Sequence, residues 1–164
     1  MDETDSAIER RLCQFRSYLD LMKHRALRER GSDCFLILTA ERVPAEPIRR
    51  SAERWVQLAF TKSCFYMDQP NTTLTAAESS RLIAERVGFS FFLADPSKTP
   101  AEYERVFNPV QRYYRYGEEQ IATADIAFIF FDLWGLPVET WIEIQAMPFD
   151  GKRGWEQQGG LFIG

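Results

Sequence analysis

The order of apolar and polar positions divides the chain into alternating helical and extended stretches. Between Thr4 and Arg30, Ile8, Leu12, Phe15, Leu19, Met22 and Ala26 recur at alternating spacings of four and three, an a/d stripe on a helix whose other faces are rich in Arg and Glu. Thr4 or Asp5 suits its start and Gly31 its end. Cys34 to Ala40 (CFLILTA) is a short apolar run and predicts a buried strand. Pro44 and Pro47 then open a second predicted helix, with Ile48, Ala52, Trp55, Val56, Ala59 and Phe60 on one side and Arg49, Arg50 and Arg54 on the other.

Ser63 to Met67 (SCFYM) and Phe89 to Ala94 (FSFFLA) predict two more strands. The capping box Thr75-Ala76-Ala77-Glu78 precedes a helix bearing Leu82, Ile83 and Val87, which Gly88 ends. Thr99-Pro100-Ala101-Glu102 repeats the start signal before Tyr103, Val106 and Phe107, and Pro109 stops or kinks that helix. A further segment, Val110 to Tyr116 (VQRYYRY), interleaves arginines with rings.

The stretch from Ala124 to Ala146 suggests a pairing register. Ile126 to Trp134 is almost unbroken apolar and reads as a strand buried on both faces. Thr140 to Ala146 alternates, with Ile142, Ile144 and Ala146 on one side and Trp141, Glu143 and Gln145 on the other. Closed by Gly135-Leu136-Pro137-Val138, the two would form a hairpin pairing Phe131 with Ile142, Ile129 with Ile144 and Ala127 with Ala146. Its reverse face would then carry Phe128, Phe130, Asp132, Trp134, Glu139, Trp141 and Glu143. Acids among rings suit a cationic partner, through ion pairing and cation–π contact. The competing account has a basic segment of the same chain covering that face, and the arginines of 112–115 are the candidates. Met147 to Gly160 reads as a flexible loop, not a phosphate loop, and Leu161 to Ile163 as a last short strand.

These elements predict an α+β fold in a single globular domain, 1–164: a mixed sheet of five to six strands with a C-terminal antiparallel hairpin, packed by about four helices including the long N-terminal one. A regular α/β layer fold is the alternative. The N-terminal stripe could lie on its own sheet or pair two subunits as a homodimer through residues 8–26. The intrachain reading is preferred, because coiled coils usually need more heptads.

Composition narrows the chemistry. Apolar residues make up 45% and charged residues 27%, ordinary for a soluble domain, and no apolar run reaches membrane-spanning length. The start MDETDSAIERR lacks signal-peptide character, which predicts a cytoplasmic protein. The net charge of −4 is uneven: residues 1–62 hold 12 basic and 10 acidic residues, so the excess of acid lies in the rest. That acidity, with Glu118 and Glu119 beside VQRYYRY, argues against nucleic-acid binding. Cys13, Cys34 and Cys64 are widely spaced and form neither a zinc ribbon nor a disulfide framework. His24 is the only histidine, flanked by Lys23 and Arg25, so no multi-histidine metal site exists and neither metal nor cofactor is expected.

Two local likenesses carry no residues over. Trp141 to Pro148 followed by Gly154 to Gly160 looks like the strand and Trp-x-x-x-Gly-Gly loop of the tautomerase superfamily, but Met1 is followed by Asp2 and not by the proline base that family uses. Phe91 to Asp95 with Ile142 to Pro148 is similar in outline to the second half of the Rid deaminase fold, without its glycine-rich first half. The functional expectation is therefore a non-catalytic protein-interaction module, toxin-neutralising or chaperone-like, that binds a basic partner. The alternative is a small-molecule enzyme or ligand-binding protein with an aromatic-lined pocket and a carboxylate acid/base, for which Asp132 beside Trp141 and Phe130 is the candidate.

Overall fold

A computed structural model describes residues 3–28, 33–40, 54–92, 95–105, 108–148 and 157–161. Helix α1 (Glu3–Arg28) leads into strands β1 (Cys34–Ala40), β2 (Trp55–Phe60) and β3 (Cys64–Gln69). Helix α2 (Ala76–Glu85), strand β4 (Ser90–Phe91), helix α3 (Pro100–Arg105) and strand β5 (Val110–Arg115) follow. Helix α4 (Glu119–Ala127) then runs straight into a π-helical segment (Phe128–Leu133), before β6 (Ile142–Pro148) and β7 (Gln157–Leu161). The seven strands form one sheet in the order β4-β5-β3-β2-β1-β6-β7. The α+β class, the four helices and the long N-terminal helix are as expected. The sheet is not mixed, since every pair of neighbours in it is antiparallel.

Alternation along the strands decides the two faces. Leu36, Leu38 and Ala40 of β1 are buried between Phe35, Ile37 and Thr39, which are half-buried. Register carries the buried set sideways: Leu36 lies between Leu58 and Ala146, Leu38 between Val56 and Ile144, and Leu58 opposite Met67. On this face sit Phe15, Leu19, Met22 and Ala26 of α1, Leu82 of α2, and Ala122, Ile126, Ile129, Phe130 and Leu133 of α4 and its π-helical extension, in one apolar cluster. Burial of each large side chain there stabilises the fold by about 1.5–3 kcal/mol.

The capping signals at α2 and α3 hold, whereas Val87, expected on the apolar side of α2, lies beyond its end and is exposed, and Val106 and Phe107 lie outside the described residues. Thr75 Oγ1 accepts from the Glu78 amide at 3.2 Å while Glu78 accepts from the Thr75 amide at 2.9 Å. Glu102 accepts from the Thr99 amide at 2.6 Å. At α1 the expected stripe holds from Phe15 to Ala26, but towards the N-terminus the buried line passes through Arg11 and Ala7, leaving Leu12 and Ile8 half-buried. A straight helix drifts off a 3.5-residue repeat, so the a/d register slips around the helix within a few turns. The stripe residues Phe15, Leu19, Met22 and Ala26 are consumed by the chain's own core.

Three expectations are corrected. Residues 126–134 are not a strand, so the predicted hairpin and its register do not exist: β6 pairs with β1 and β7 instead. The buried positions Ala122, Ile126, Ile129, Phe130, Leu133 and Trp134 have helical spacing, and Trp134 N–H donates to Ile129 O at 2.9 Å, five residues back. The far side of this helix is apolar too, with Ala127, Phe128 and Phe131 packed against the core cluster. A helix without a polar face hides its period and looks like a strand buried on both sides. Second, Trp55–Phe60 is strand β2, where Val56, Leu58 and Phe60 alternate with Trp55 and Gln57; the Ile48 and Ala52 part of that expected helix lies outside the described residues. Third, Val110–Arg115, for which the pattern predicts no strand, is β5, and the last strand, β7, begins at Gln157 within the expected loop and reaches Leu161, where the expected strand starts; Phe162 and Ile163 lie outside the described residues.

Candidate functional site

The buried carboxylates on the helix-covered side are paired within the chain. Asp125 of α4 has no exposed surface. Its Oδ1 accepts from Arg86 Nε at 2.6 Å, and its Oδ2 from an Arg112 guanidinium nitrogen at 2.7 Å and from the Tyr114 hydroxyl at 2.7 Å. Arg112 and Tyr114 are two apart on β5 and so project to one face. Burial, and then the Asp125 charge, push the Tyr114 hydroxyl well above its ordinary pKa, so it stays a donor. Gly88 makes room for Arg112: its φ is +103°, and a Cβ there would lie 2.8 Å from Arg112 Nε. This cluster ties α4 and its extension to α2 and β5.

Two further buried charges are held in the same way. Glu119, 1% exposed, pairs with Lys23 at 2.9 Å and accepts from the Gly117 amide at 2.8 Å. Burial alone would raise its pKa; the bonds from Lys23 and from backbone amides outweigh it and hold the carboxyl below the ordinary range. Arg11 donates through Nε to Val138 O at 2.7 Å and through its guanidinium to Thr140 O, fastening α1 to the loop before β6.

The reverse face of the sheet is built differently. Ile37, Trp55, Gln57, Tyr66, Asp68, Gln111 and Tyr113 project from it, and none of them belongs to the core cluster that the helices share. Tyr66 of β3 is opposite Tyr113 of β5, with ring centroids 5.0 Å apart and planes 33° apart, and Tyr113 is 60% exposed. One pair further along, Asp68 is opposite Gln111 and accepts from its amide nitrogen at 3.2 Å. No described cation forms an ion pair with Asp68. Burial raises its carboxyl above the ordinary value, against the weaker opposing effect of Gln111. Burial also raises Tyr66, followed by the charges of Asp68, Tyr113 and Asp33. Arg115 lies on the same face, opposite Cys64, and is exposed.

The seven residues expected to form a binding face do not come together. Phe130 and Trp134 are buried and touch ring to ring, 5.3 Å apart at 71°. Phe128 lies under two guanidinium groups, Arg81 of α2 at 5.4 Å and Arg86, just past the end of α2, at 5.7 Å, so cations of the same chain serve this ring. Asp132 and Glu139 are exposed on the π-helical segment and the following loop. Trp141 and Glu143 do share the outer side of β6 with Gln145, as the alternation indicated, and they belong to the reverse face of the sheet. The arginine expected to cover the hairpin, Arg112, goes to Asp125 instead. Sequence reasoning missed both carboxylate clusters: the Asp125 cluster depends on how α4 packs against Arg86 and β5, and the Asp68 cluster on the register of β3 with β5.

Between α1 and α4 runs a groove of about 410 Å³ lined by Leu12, Cys13, Arg16, Ser17, Gln120, Thr123 and Ala124, with neither ring nor carboxylate in its wall. It is a different object from the aromatic pocket expected of a ligand-binding protein. Among the described residues no group of three or more His, Cys, Asp or Glu is placed to hold a metal, and no helix is long and apolar enough to cross a membrane. Comparison with protein-family models, with curated proteins and with solved structures found no match in any of the three.

Proposed function

We propose that this chain is a non-catalytic interaction module that binds a basic protein segment across the reverse face of its sheet, in a toxin-neutralising or chaperone-like role. One observation carries the reading. Asp125 and Glu119 on the helix side are each neutralised from within the chain, whereas Asp68 on the reverse face has an amide for company and two tyrosines beside it. A half-buried carboxylate without a counter-charge costs folding free energy, and an incoming cation would recover it. Tyrosine rings suit such a surface, because they offer large contact area with little entropy to lose.

The test is site-specific photo-crosslinking of the full chain in its native cell. A photoreactive side chain at position 113 is expected to capture a stoichiometric basic protein, and one at exposed Glu85 on α2 is expected not to. Equal capture at both positions, or none at 113, contradicts the reading. The groove between α1 and α4 supports a second reading, an apolar small-ligand binder without acid–base chemistry in its wall. Native mass spectrometry of the purified chain would show that ligand as added mass, lost on Leu12→Glu.

A further inference from the structure

We infer that Tyr66, Tyr113 and Asp68 form the seat of a single arginine side chain of the partner, an inference that rests on the interaction reading above. Tyr66 and Asp68 are alternate residues of β3 and point the same way, about 7 Å apart along the strand. Tyr113 and Gln111 repeat that spacing on β5, so the four side chains make a two-by-two block with rings at one end and an acid and amide at the other. Gln111 donates to one oxygen of Asp68 at 3.2 Å, leaving its other oxygen for a donor.

A guanidinium fits this block better than an ammonium. It is flat, it stacks on a ring while its edge still presents N–H groups, and it sheds water more easily. Lying over the Tyr113 ring, it would direct an N–H towards Asp68. An ammonium would make one of those contacts and lose more hydration in reaching a half-buried acid. A phosphate or a carboxylate is disfavoured, because Asp68 stands in the block itself and would repel it. Arg115, opposite Cys64, lies beyond the tyrosine end of the block and would repel a second cation there, which limits the seat to one side chain.

The test titrates the full-length chain with N-acetyl-arginine methylamide and follows the ring resonances of Tyr66 and Tyr113 by NMR. The expected result is a saturable shift at both rings, with the uncharged citrulline analogue giving none at the same concentration. The lysine analogue is expected to bind roughly threefold more weakly, and Asp68→Asn to weaken the arginine probe by a similar factor. Tyr113→Ser serves as a second variant, expected to abolish the shift at Tyr66 while the amide spectrum stays folded. Equal shifts from citrulline, or an arginine affinity unchanged in D68N, would overturn the arginine seat. The two proposals fail separately. Crosslinking of a basic protein from position 113 with equal yield in wild type and D68N overturns the seat and leaves the interaction reading standing. An arginine-specific shift without any crosslinked protein supports the seat and overturns the protein partner.

Discussion

Asp125 and Asp68 are the same side chain placed on opposite sides of one sheet, and they are treated in opposite ways. Asp125 is fully buried and receives two guanidinium groups and a phenol. Asp68 is half-buried and receives one amide. Removing a carboxylate from around buried arginines leaves cations stranded, whereas removing one without a counter-charge relieves a penalty. The difference separates a charge that holds the fold together from one that has no counter-charge among the described residues.

The comparison can be broken most forcefully at Asp125. Asp125→Ala should destabilise the chain by about 3 kcal/mol, the low end for a buried pair, because Arg112 is mostly buried while Arg86 keeps part of its side chain in water. Chemical denaturation measures this; a loss below about 1 kcal/mol would mean that the cluster is surface-like after all. A smaller effect is expected at Glu119, whose carboxyl is held below its ordinary range by burial-resisting bonds from Lys23 and backbone amides. A depressed carboxyl contributes stability above its unfolded pKa and loses it as pH falls through the folded one. Wild type should therefore lose stability steadily on acidification below the ordinary glutamate range, and Glu119→Gln should flatten that slope in a series of thermal melts. Asp68 should behave with the opposite sign. Its folded carboxyl is raised, so at neutral pH ionisation costs the folded state, and stability rises as pH falls through that raised value towards the ordinary one. The smallest effect belongs to Tyr113→Ser, expected to change stability by no more than about 0.5 kcal/mol, since an exposed ring holds little of the core.

What could be read in advance followed from local signals. The capping box at Thr75 and Glu78, the buried stripe from Phe15 to Ala26 and the alternation from Trp141 to Ala146 are all written in adjacent residues, and the structure contains each. The stretch from Ile126 to Leu133 reads as a strand because Phe128 and Phe131 make its second side apolar, which erases the polar stripe that marks a helical period. Both carboxylate sites lay out of reach for a different reason. Arg86 is 39 residues from Asp125 and Gln111 is 43 from Asp68, and only the pairing of β3 with β5 brings the second pair together. The residue types expected on a binding surface were acids among rings. Acids and rings do meet on β3 and β5, with Trp141 and Glu143 further along the same face beyond β2 and β1, and not on the segment 126–134.

Thermal unfolding of Asp68→Asn against wild type at neutral pH, with and without the arginine probe, bears most directly on the claim that this carboxylate is left for an outside cation. The account predicts that the variant alone melts higher than wild type, and that the probe raises the midpoint of wild type more than that of the variant. A variant that melts lower, as it would had its acid already been paired within the chain, or an equal gain from the probe in both proteins, would contradict it.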